Sequence, residues 1–326
     1  MALAILCKAY GPPESLVVEE IADAAPGPGE VAVRVNAVAL NFFDTLIIQG
    51  RYQIKPPFPF SPGAEFAGTV AQIGDGVTSF SVGQRVAGFL GHGACRDRLI
   101  APQTRLVPIP EGLSDESASG LFVTYGTSMH ALVQRGELQE GETLAVLGAA
   151  GGTGLSAVEI GKLMGARVIA CASSDDKLAL AREHGADETI NYASEDLGRR
   201  LKDLTDGKGV DVLYDPVGDK WAEPAMRAMA WRGRYLVIGF AGGEIPKMPL
   251  NLLLLKGCDA RGVFWGAFAE REPVAHRRNL ERLLAWAAAG RLRAHVGEVY
   301  PPERIAEAMR SLANREAKGK LVIRFG

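Results

Sequence analysis

The feature that most constrains this chain is a glycine-rich turn at residues 148–154, which reads GAAGGTG. An apolar run, TLAVL, ends directly before the turn, and an apolar-periodic stretch, LSAVEIGKLMG, begins directly after it. This order predicts a strand, a tight turn and a helix, which together let backbone N–H groups approach a pyrophosphate at a helix N-terminus. Ala149, Gly151 and Gly154 occupy the three positions of the dinucleotide-binding fingerprint. Glycine triplets also occur in ordinary turns, so the flanking elements are what make the prediction specific.

The spacing of short apolar runs changes near residue 120. Residues 1–120 contain β-branched runs broken by Gly and Pro, such as EVAVRVNAVAL and QRVAGFL, which predict a mostly antiparallel, barrel-like domain. Residues 121–265 alternate helical patterns with the strand-like runs TLAVLG, RVIACA, ETINY, VDVLYD, RYLVIG and DARGVFW. They predict an α/β domain with a doubly wound parallel sheet. Residues 266–326 end on the strand KLVIRF, and we expect them to return to the first domain.

Length, charge and cysteine usage exclude several classes of function. The chain has 326 residues, which fits two domains, and 36 basic against 38 acidic residues give a net charge of −2. Such a balance gives no excess of positive charge for binding nucleic acid or an acidic membrane surface. The sequence shows neither a membrane-spanning apolar run nor a signal-peptide pattern. Four scattered cysteines without a CxxC motif suit a reducing compartment, so we expect a cytoplasmic protein.

The residues after the second predicted strand of the nucleotide domain bear on the choice of cofactor. An Asp or Glu there would bind the ribose hydroxyls of NAD, but RVIACA ends at Ala172. Ser173, Ser174 and Lys177 follow and offer donors to a 2′-phosphate, and Tyr192 could add a phenolic donor. Two intervening aspartates oppose a phosphate, although on a first helical turn they also favour the helix dipole. The pattern predicts NADPH; alternatively, Lys177 is an ordinary solvated helix residue.

Several further motifs, in the same order along the chain, carry a resemblance to a known family. They are NFFDTLIIQGRY, PFPFSPGAEFAGTV, GVTSFSVGQRV, VTYGTSMHAL, GAAGGTG, HGADETINY and DPVG. With them the chain resembles the medium-chain dehydrogenase/reductase superfamily over essentially its full length, in the zinc-free quinone oxidoreductase (zeta-crystallin-like) branch. Ala145, Thr153 and Glu159 depart from the glycine-loop signature, where the family usually has Leu, Val and Gln.

The resemblance implies a Rossmann domain, a GroES-like substrate domain and a homodimer. Asn41, Ala64 and Val123 stand where the zinc alcohol dehydrogenases of the superfamily have their catalytic ligands, and these residue types do not form a Zn²⁺ site. A cysteine-rich structural-zinc loop is also missing. Without a Lewis acid, the hydride acceptor has to be electrophilic already, as a quinone or an α,β-unsaturated carbonyl is.

By the same resemblance, Asn41, Asp44 and Tyr52 lie around the substrate near the nicotinamide. Tyr52 either donates a hydrogen bond or proton to the substrate carbonyl or is an amphipathic aromatic in a loop. Asn41 either orients substrate or cofactor or ties down a loop. We expect Asp44 to be an orienting residue rather than an acid.

The remaining candidate residues concern the cofactor. Thr127 matches a family position near the nicotinamide, or else serves as a helix cap. The ends of the fifth and sixth strands should border the cofactor, since ligands bind outside the carboxyl ends of such sheets. Phe264 and Trp265 are alternatively part of a dimer interface. The complete predicted cofactor set is Thr127, Gly151, Gly152, Thr153, Gly154, Ser173, Ser174, Lys177, Tyr192, Gly239, Phe240, Ala241, Phe264 and Trp265.

Together these features predict an NADPH-dependent, metal-independent reductase of quinones or activated alkenes. One alternative is an enoyl-thioester reductase, which would need a basic patch for its carrier; Arg51, Lys55 and the pair Arg277 and Arg278 are candidates. A second alternative is an NADPH-binding protein with little turnover.

Overall fold

The computed structural model of the protein describes residues 1–293, 295–314, 316–317 and 319–326. The chain divides into two compact units. The first unit joins Met1–Val123 with Leu280–Gly326, and the second unit is Thr124–Asn279. Each unit buries its own cluster of apolar side chains, so each has a separate hydrophobic core.

The N-terminal part of the first unit is built from short strands. They alternate with turns and two short helices: β1 (Ala2–Leu6), β2 (Val17–Ile21), β3 (Glu30–Ala39), α1 (Phe42–Ile47), β4 (Glu65–Ile73), β5 (Arg85–Phe89), β6 (Arg98–Pro102), β7 (Leu106–Pro108) and α2 (Asp115–Ser119). β3 pairs antiparallel with both β4 and β6. Gly68 on β4 allows a close approach, because a Cβ there would lie 2.1 Å from the carbonyl oxygen of Arg34.

The second unit alternates helices and strands. In chain order they are α3 (Val123–His130), β8 (Thr143–Leu147), α4 (Gly152–Leu163), β9 (Arg167–Ala172), α5 (Asp175–Glu183), β10 (Glu188–Asn191), α6 (Leu197–Asp203), β11 (Val210–Asp215), α7 (Ala222–Arg227), β12 (Met229–Val237), α8 (Asn251–Lys256), β13 (Asp259–Gly262), α9 (Trp265–Arg271) and α10 (Pro273–Ala288). The strands form a parallel sheet in the order β10-β9-β8-β11-β12-β13. The order reverses between β8 and β11, which creates the crevice where doubly wound sheets bind ligands.

The C-terminal residues complete the sheet of the first unit. They form β14 (Val296–Tyr300), α11 (Ile305–Ala313) and β15 (Lys320–Arg324). β15 pairs antiparallel with β3 and parallel with β14, which gives the mostly antiparallel order β14-β15-β3-β4-β5-β7. The predicted fold class is confirmed.

The later boundary between the units lies beyond residue 265, where the sequence pattern predicts the end of the nucleotide domain. Side-chain contacts explain why α9 and the start of α10 belong to the second unit. The ring of Phe268 on α9 stacks on His130 with centroids 3.9 Å apart. Asn279 on α10 exchanges hydrogen bonds with Gln134. These contacts bind both helices to the segment that begins with α3.

Two further observations concern membranes and cysteines. Within the described residues, the helices lack the combination of length and apolarity that crossing a bilayer requires. All four cysteines are free and buried. Burial raises the pKa of the Cys171 thiol, which therefore stays protonated among its apolar neighbours.

Candidate functional site

The glycine turn of the second unit connects a buried strand to an exposed helix start. β8 ends at Leu147, which is fully buried, and the chain turns at Gly148 with φ at +58°. Gly151 is the N-cap of α4, and both Gly151 and Gly152 are exposed. The first N–H groups of a helix have no partner within the helix. The turn therefore presents backbone donors to solvent at the positive end of α4.

The turn also has the shape that a bound pyrophosphate requires. A Cβ on Gly154 would lie 2.2 Å from the carbonyl oxygen of Gly148, so only glycine lets α4 pack this closely against the turn. A Cβ on Gly151 would lie 3.3 Å from the same carbonyl oxygen, a tight contact rather than a clash. Ala149 is fully buried and donates its N–H to the carbonyl of Cys171, joining the ends of β8 and β9. The three fingerprint positions thus fit a dinucleotide.

The structure brings three of the predicted 2′-phosphate residues to the end of β9. The ammonium of Lys177 lies 3.5 Å from the Ser173 hydroxyl, and both residues are exposed. Tyr192 donates its N–H to the carbonyl oxygen of Ala172, which holds it beside the same strand end. Its ring packs against Trp221 with centroids 4.5 Å apart. A cation and a hydroxyl therefore meet where an acidic residue would select NAD, and the backbone of Tyr192 lies at the same strand end.

The residues that open α5 complete this region. Ser174 is the N-cap of the helix and is half-buried. Asp175 accepts a hydrogen bond from the side-chain amide of Asn191 at 2.8 Å. The carboxylate of Asp175, one of the two aspartates before Lys177, is thus hydrogen-bonded to a residue of β10.

The side chain of Asp215 ties the loop after β11 to strand β12. This buried carboxylate accepts the N–H groups of Val217 and Gly218 at 2.7 and 2.8 Å through Oδ1, and the hydroxyl of Tyr235 through Oδ2. Burial raises the pKa of Asp215, and these hydrogen bonds oppose that rise. Ala241 donates its N–H to the carbonyl of Pro216, so the predicted segment Gly239, Phe240 and Ala241 is fixed beside the DPVG turn.

Phe264 and Trp265 have different environments. Phe264 is 65% exposed, directly before α9. Trp265 is buried within the second unit, where its ring lies against Gly126 of α3 and edge-on to His276. Thr127, also on α3, is half-buried in the body of that helix rather than at its cap. Trp265 is thus a core residue beside the helix that carries Thr127.

In the first unit, a buried network of charged and amide side chains surrounds Asn41. The Asn41 amide nitrogen donates to Oε1 of Glu65 at 2.9 Å, and its oxygen accepts from the Lys320 ammonium at 2.5 Å. The same ammonium lies 2.6 Å from Glu65 Oε1. The other carboxylate oxygen of Glu65 accepts the N–H of Val123 at 2.7 Å. Asn41 is therefore held at both ends of its amide, which matches the loop-tying alternative.

Asp44 is fully buried next to this network. Its Oδ2 accepts the backbone N–H of Asn41 at 2.7 Å and so closes the start of α1. Burial raises the pKa of Asp44 to about 7; the hydrogen bond from Asn41 and the charge of Lys320 oppose the rise. The Asp44 carboxyl therefore holds the turn at Asn41 in place.

Tyr52 is half-buried, and its ring stacks on Phe43 of α1 with centroids 5.4 Å apart. Burial, and next the charge of Asp44, raise the pKa of the Tyr52 phenol. The hydroxyl therefore remains protonated at neutral pH and can donate a hydrogen bond.

Comparisons with known proteins give the family. The model described as the alcohol dehydrogenase GroES-like domain matches residues 27–111, and that of the zinc-binding dehydrogenases matches residues 152–281. The chain is 37% identical to the quinone oxidoreductase-like protein 2 of Rattus norvegicus, over 95% of this chain and 89% of the relative. The chain belongs to the quinone oxidoreductase family of the medium-chain dehydrogenases/reductases. It is therefore an oxidoreductase of the reductase type, with a fold suited to a nicotinamide cofactor.

Solved structures agree with this assignment. The quinone oxidoreductase of Pseudomonas syringae pv. Tomato DC3000 superposes with a TM-score of 0.91 at 34% identity, covering 100% of both chains. A mycobacterial protein solved in complex with NADPH gives a TM-score of 0.89 at 26% identity, covering 99% of this chain and 100% of its own.

Because one of the matching family models is that of the zinc-binding dehydrogenases, the residues at the expected zinc positions need to be considered. Asn41 is committed to Glu65 and Lys320, Ala64 has no ligand atom in its side chain, and Val123 contributes only its N–H to the network. In the part of the chain that the structure describes, no three His, Cys, Asp or Glu side chains are grouped to hold a metal ion. The absence of a zinc site stays a prediction.

Sequence reasoning missed Glu65 and Lys320 as organising residues of the first unit, and Asp215 as an organising residue of the second unit. Glu65 and Lys320 are 255 positions apart and meet only because β15 pairs with β3, which also pairs with β4. A signal was present in each case: a charged residue at the edge of an apolar strand, in EFAGTV, KLVIRF and VDVLYD. Such residues are buried only with a partner.

Proposed function

We propose that this chain is an NADPH-dependent reductase that transfers hydride to quinones or activated alkenes without a metal ion. The observation that carries the proposal is the end of β9, where Ala172 replaces an acidic residue and Ser173 and Lys177 meet. A carboxylate there would repel a 2′-phosphate, whereas an ammonium and a hydroxyl attract it.

The proposed roles in cofactor binding follow from the glycine turn and from the end of β9. The turn from Gly151 to Gly154 holds the pyrophosphate, and Ser173, Lys177 and Tyr192 hold the 2′-phosphate. NADPH, when bound, supplies the hydride. The mycobacterial relative solved with NADPH supports this choice of cofactor.

The proposed substrate class follows from the chemistry of the Asn41 network. Asn41, Ala64 and Val123 offer no ligand set for a Lewis acid, so the acceptor must carry its own activation. A quinone or a conjugated enone does so. Tyr52 donates a hydrogen bond to the substrate oxygen that gains charge, and its raised pKa keeps the phenol protonated for this role. Asp44 orients the turn that holds Asn41.

The experiment that tests this function is steady-state oxidation of NADPH with matched acceptors. We expect turnover with quinones and enones, little turnover with an enoyl thioester, and no oxidation of secondary alcohols with NADP⁺. Prior treatment with a chelator should leave the rates unchanged. Robust alcohol oxidation, or activity that requires zinc, would contradict the proposal. Preferred turnover of the thioester would favour the enoyl-thioester reductase, and cofactor binding without turnover would favour a binding protein.

We also propose that the chain forms a homodimer. β13 ends the parallel sheet and pairs only with β12 among the described residues. Leu250, Leu254 and Trp231 near this edge are 75, 80 and 71% exposed. Unpaired edges beside exposed apolar side chains favour association with another chain, here a second copy.

A further inference from the structure

A buried hydrogen-bonded cluster, formed by Tyr125, Glu159 and His184, lies behind the glycine turn. The ring nitrogen Nδ1 of His184 is 2.5 Å from Oε1 of Glu159. The hydroxyl of Tyr125 donates to Oε2 of the same carboxylate at 2.8 Å. The side chains of His184 and Glu159 are only 2 and 4% exposed. Water therefore does not compete for these bonds.

The cluster joins the three helices that carry the predicted cofactor residues. Glu159 is on α4, which begins at the glycine turn. His184 ends α5, the helix that carries Lys177. Tyr125 is on α3 with Thr127. No member of the cluster is among the residues assigned to cofactor contact.

The cluster fixes the position of α5 relative to α4, and this position affects the binding of NADPH and NADH differently. NADPH requires the pyrophosphate at the glycine turn and the 2′-phosphate at Lys177 at the same time. NADH requires only the first of these. Binding energy from two subsites adds fully only when their spacing matches the ligand. A change in the spacing between α4 and α5 therefore weakens NADPH more than NADH.

We propose that Glu159 is a positioning residue which, through His184, sets the preference of this enzyme for NADPH over NADH. The inference rests on the proposed function, because it takes Ser173 and Lys177 as the 2′-phosphate site. Glu159 holds the two phosphate subsites at the spacing of one NADPH molecule without touching the cofactor itself.

The test compares variants of Glu159 by titrating NADPH, NADH and 2′-AMP, a probe that engages the 2′-phosphate site alone. Glu159→Met keeps the side-chain volume but removes both acceptors. We expect it to lower the ratio of the NADH and NADPH dissociation constants by at least about fivefold. The affinities for NADH and 2′-AMP should each stay within about twofold, because each subsite remains intact. Glu159→Gln retains an acceptor and should restore most of the ratio.

Two further variants serve as controls. Lys162→Met removes an exposed ion pair, 2.7 Å long, between the same helix α4 and Asp187 in the loop after His184. The ratio should not change, since the pair lies in water. Tyr125→Phe keeps the bond between His184 and Glu159, so we expect a fall in the ratio of about twofold. This milder variant carries the test if Glu159→Met does not fold.

The outcomes separate the inference from the function on which it rests. A wild-type ratio near one would overturn the proposed NADPH preference and the inference with it. A high wild-type ratio that is unchanged in both Glu159→Met and Tyr125→Phe would overturn the inference alone. Equal losses of affinity for NADPH, NADH and 2′-AMP in Glu159→Met would show a purely structural role and would contradict the inference. An equal fall of the ratio in Lys162→Met would show that the effect is not specific to the cluster, and it would contradict the inference as well.

Discussion

At the scale of single residues, the charged candidate residues of the two units differ in burial. Lys177 is exposed, whereas Asp44 is enclosed by the core of the first unit. An exposed cation acts on a ligand mainly by direct contact, while a buried carboxylate acts through the backbone that it holds and through its own protonation. Substitutions at the two kinds of position should therefore have different signatures.

Lys177→Ala should weaken NADPH binding and leave NADH binding nearly unchanged. Loss of one charge-assisted hydrogen bond to a phosphate costs about 1.5–3 kcal/mol, which corresponds to at least about tenfold in affinity. Fluorescence titration with both cofactors measures the effect. Arg182→Ala, on the same helix but bonded to Thr189, is the matched control and should change neither affinity. Equal losses of NADPH and NADH affinity in Lys177→Ala would refute the assignment.

Tyr52→Phe should lower turnover of enones by about 10²-fold, a usual size for the loss of general acid catalysis. Quinones should suffer less, because they accept electrons readily without prior protonation. The measurement is kcat on a matched quinone and enone at saturating NADPH. Tyr10→Phe, an exposed tyrosine in the same unit, is the control. If only the Michaelis constants change in Tyr52→Phe, the ring merely shapes the pocket.

Asp44 should make stability decline as the pH rises. Its folded-state pKa of about 7 lies above its ordinary value of 3.8, so the folded protein binds the proton more tightly than the unfolded chain. The contribution of the protonated carboxyl is complete below about pH 4 and is lost as the pH rises through about 7. Asp44→Asn should remove this decline, which is at most about 1.4 kcal/mol for each pH unit.

Urea unfolding of wild type and Asp44→Asn between about pH 4 and 8 measures the difference. We expect the variant to gain stability relative to wild type as the pH increases. A constant difference across this range would mean that Asp44 does not titrate there.

At the scale of elements, neighbouring glycines of the glycine turn have different roles. Gly154 allows α4 to pack on the turn, since a Cβ there would lie 2.2 Å from the Gly148 carbonyl oxygen. Gly151 has ordinary extended dihedrals (φ −74°, ψ 165°), and a Cβ there would lie 3.3 Å from the same oxygen, a tight contact rather than a clash, so its lack of a side chain matters less to the fold than that of Gly154. Folding and cofactor binding can therefore be separated within one turn.

Gly154→Ala should destabilise the second unit by about 3 kcal/mol, at the upper end of overpacking costs. Gly151→Ala should cost much less stability than Gly154→Ala and should weaken the binding of both cofactors, because a methyl group would occupy the path of the pyrophosphate. Denaturant unfolding and cofactor titration distinguish the two. Full cofactor affinity in a folded Gly151→Ala variant would show that the pyrophosphate does not lie on this turn.

At the scale of the whole molecule, the exposed edge of the parallel sheet concerns assembly. Leu250 and Leu254 are four residues apart and so share one face of α8. Trp231 lies against the end of that helix, because a Cβ on Gly257 would be 2.7 Å from its ring. These three side chains form an exposed apolar surface near β13.

Leu254→Glu should convert the proposed dimer into a monomer, since a charge would be buried at the interface. Sedimentation equilibrium of wild type and variant measures the molecular mass. Val82→Glu, a similarly exposed apolar residue in the first unit, is the control and should leave the mass unchanged. A monomeric wild type, or a dimer that persists in Leu254→Glu, would contradict this interface.

The sequence by itself determined the elements that depend on local order. The run TLAVL, the turn GAAGGTG and the periodic stretch that follows predict β8, the turn and α4, and all three are found. The six predicted strands of the parallel sheet are also present, because side-chain periodicity and turn chemistry are encoded within a few consecutive residues. Ser173 and Lys177 meet for the same reason, since they lie four residues apart at the start of one helix.

Only the tertiary structure decided which distant residues share one environment. Lys320 reaches Asn41 and Glu65 because β15 pairs with β3 in one register, and no local pattern specifies that pairing. His184 reaches Glu159 because α4 and α5 pack on the same sheet. Trp265 is buried against Gly126 of α3, and its position after the sixth strand does not specify that contact. A residue's type and spacing fix what it can bond, but the strand register and helix packing of the complete chain decide which partner it meets and whether water is excluded from the bond.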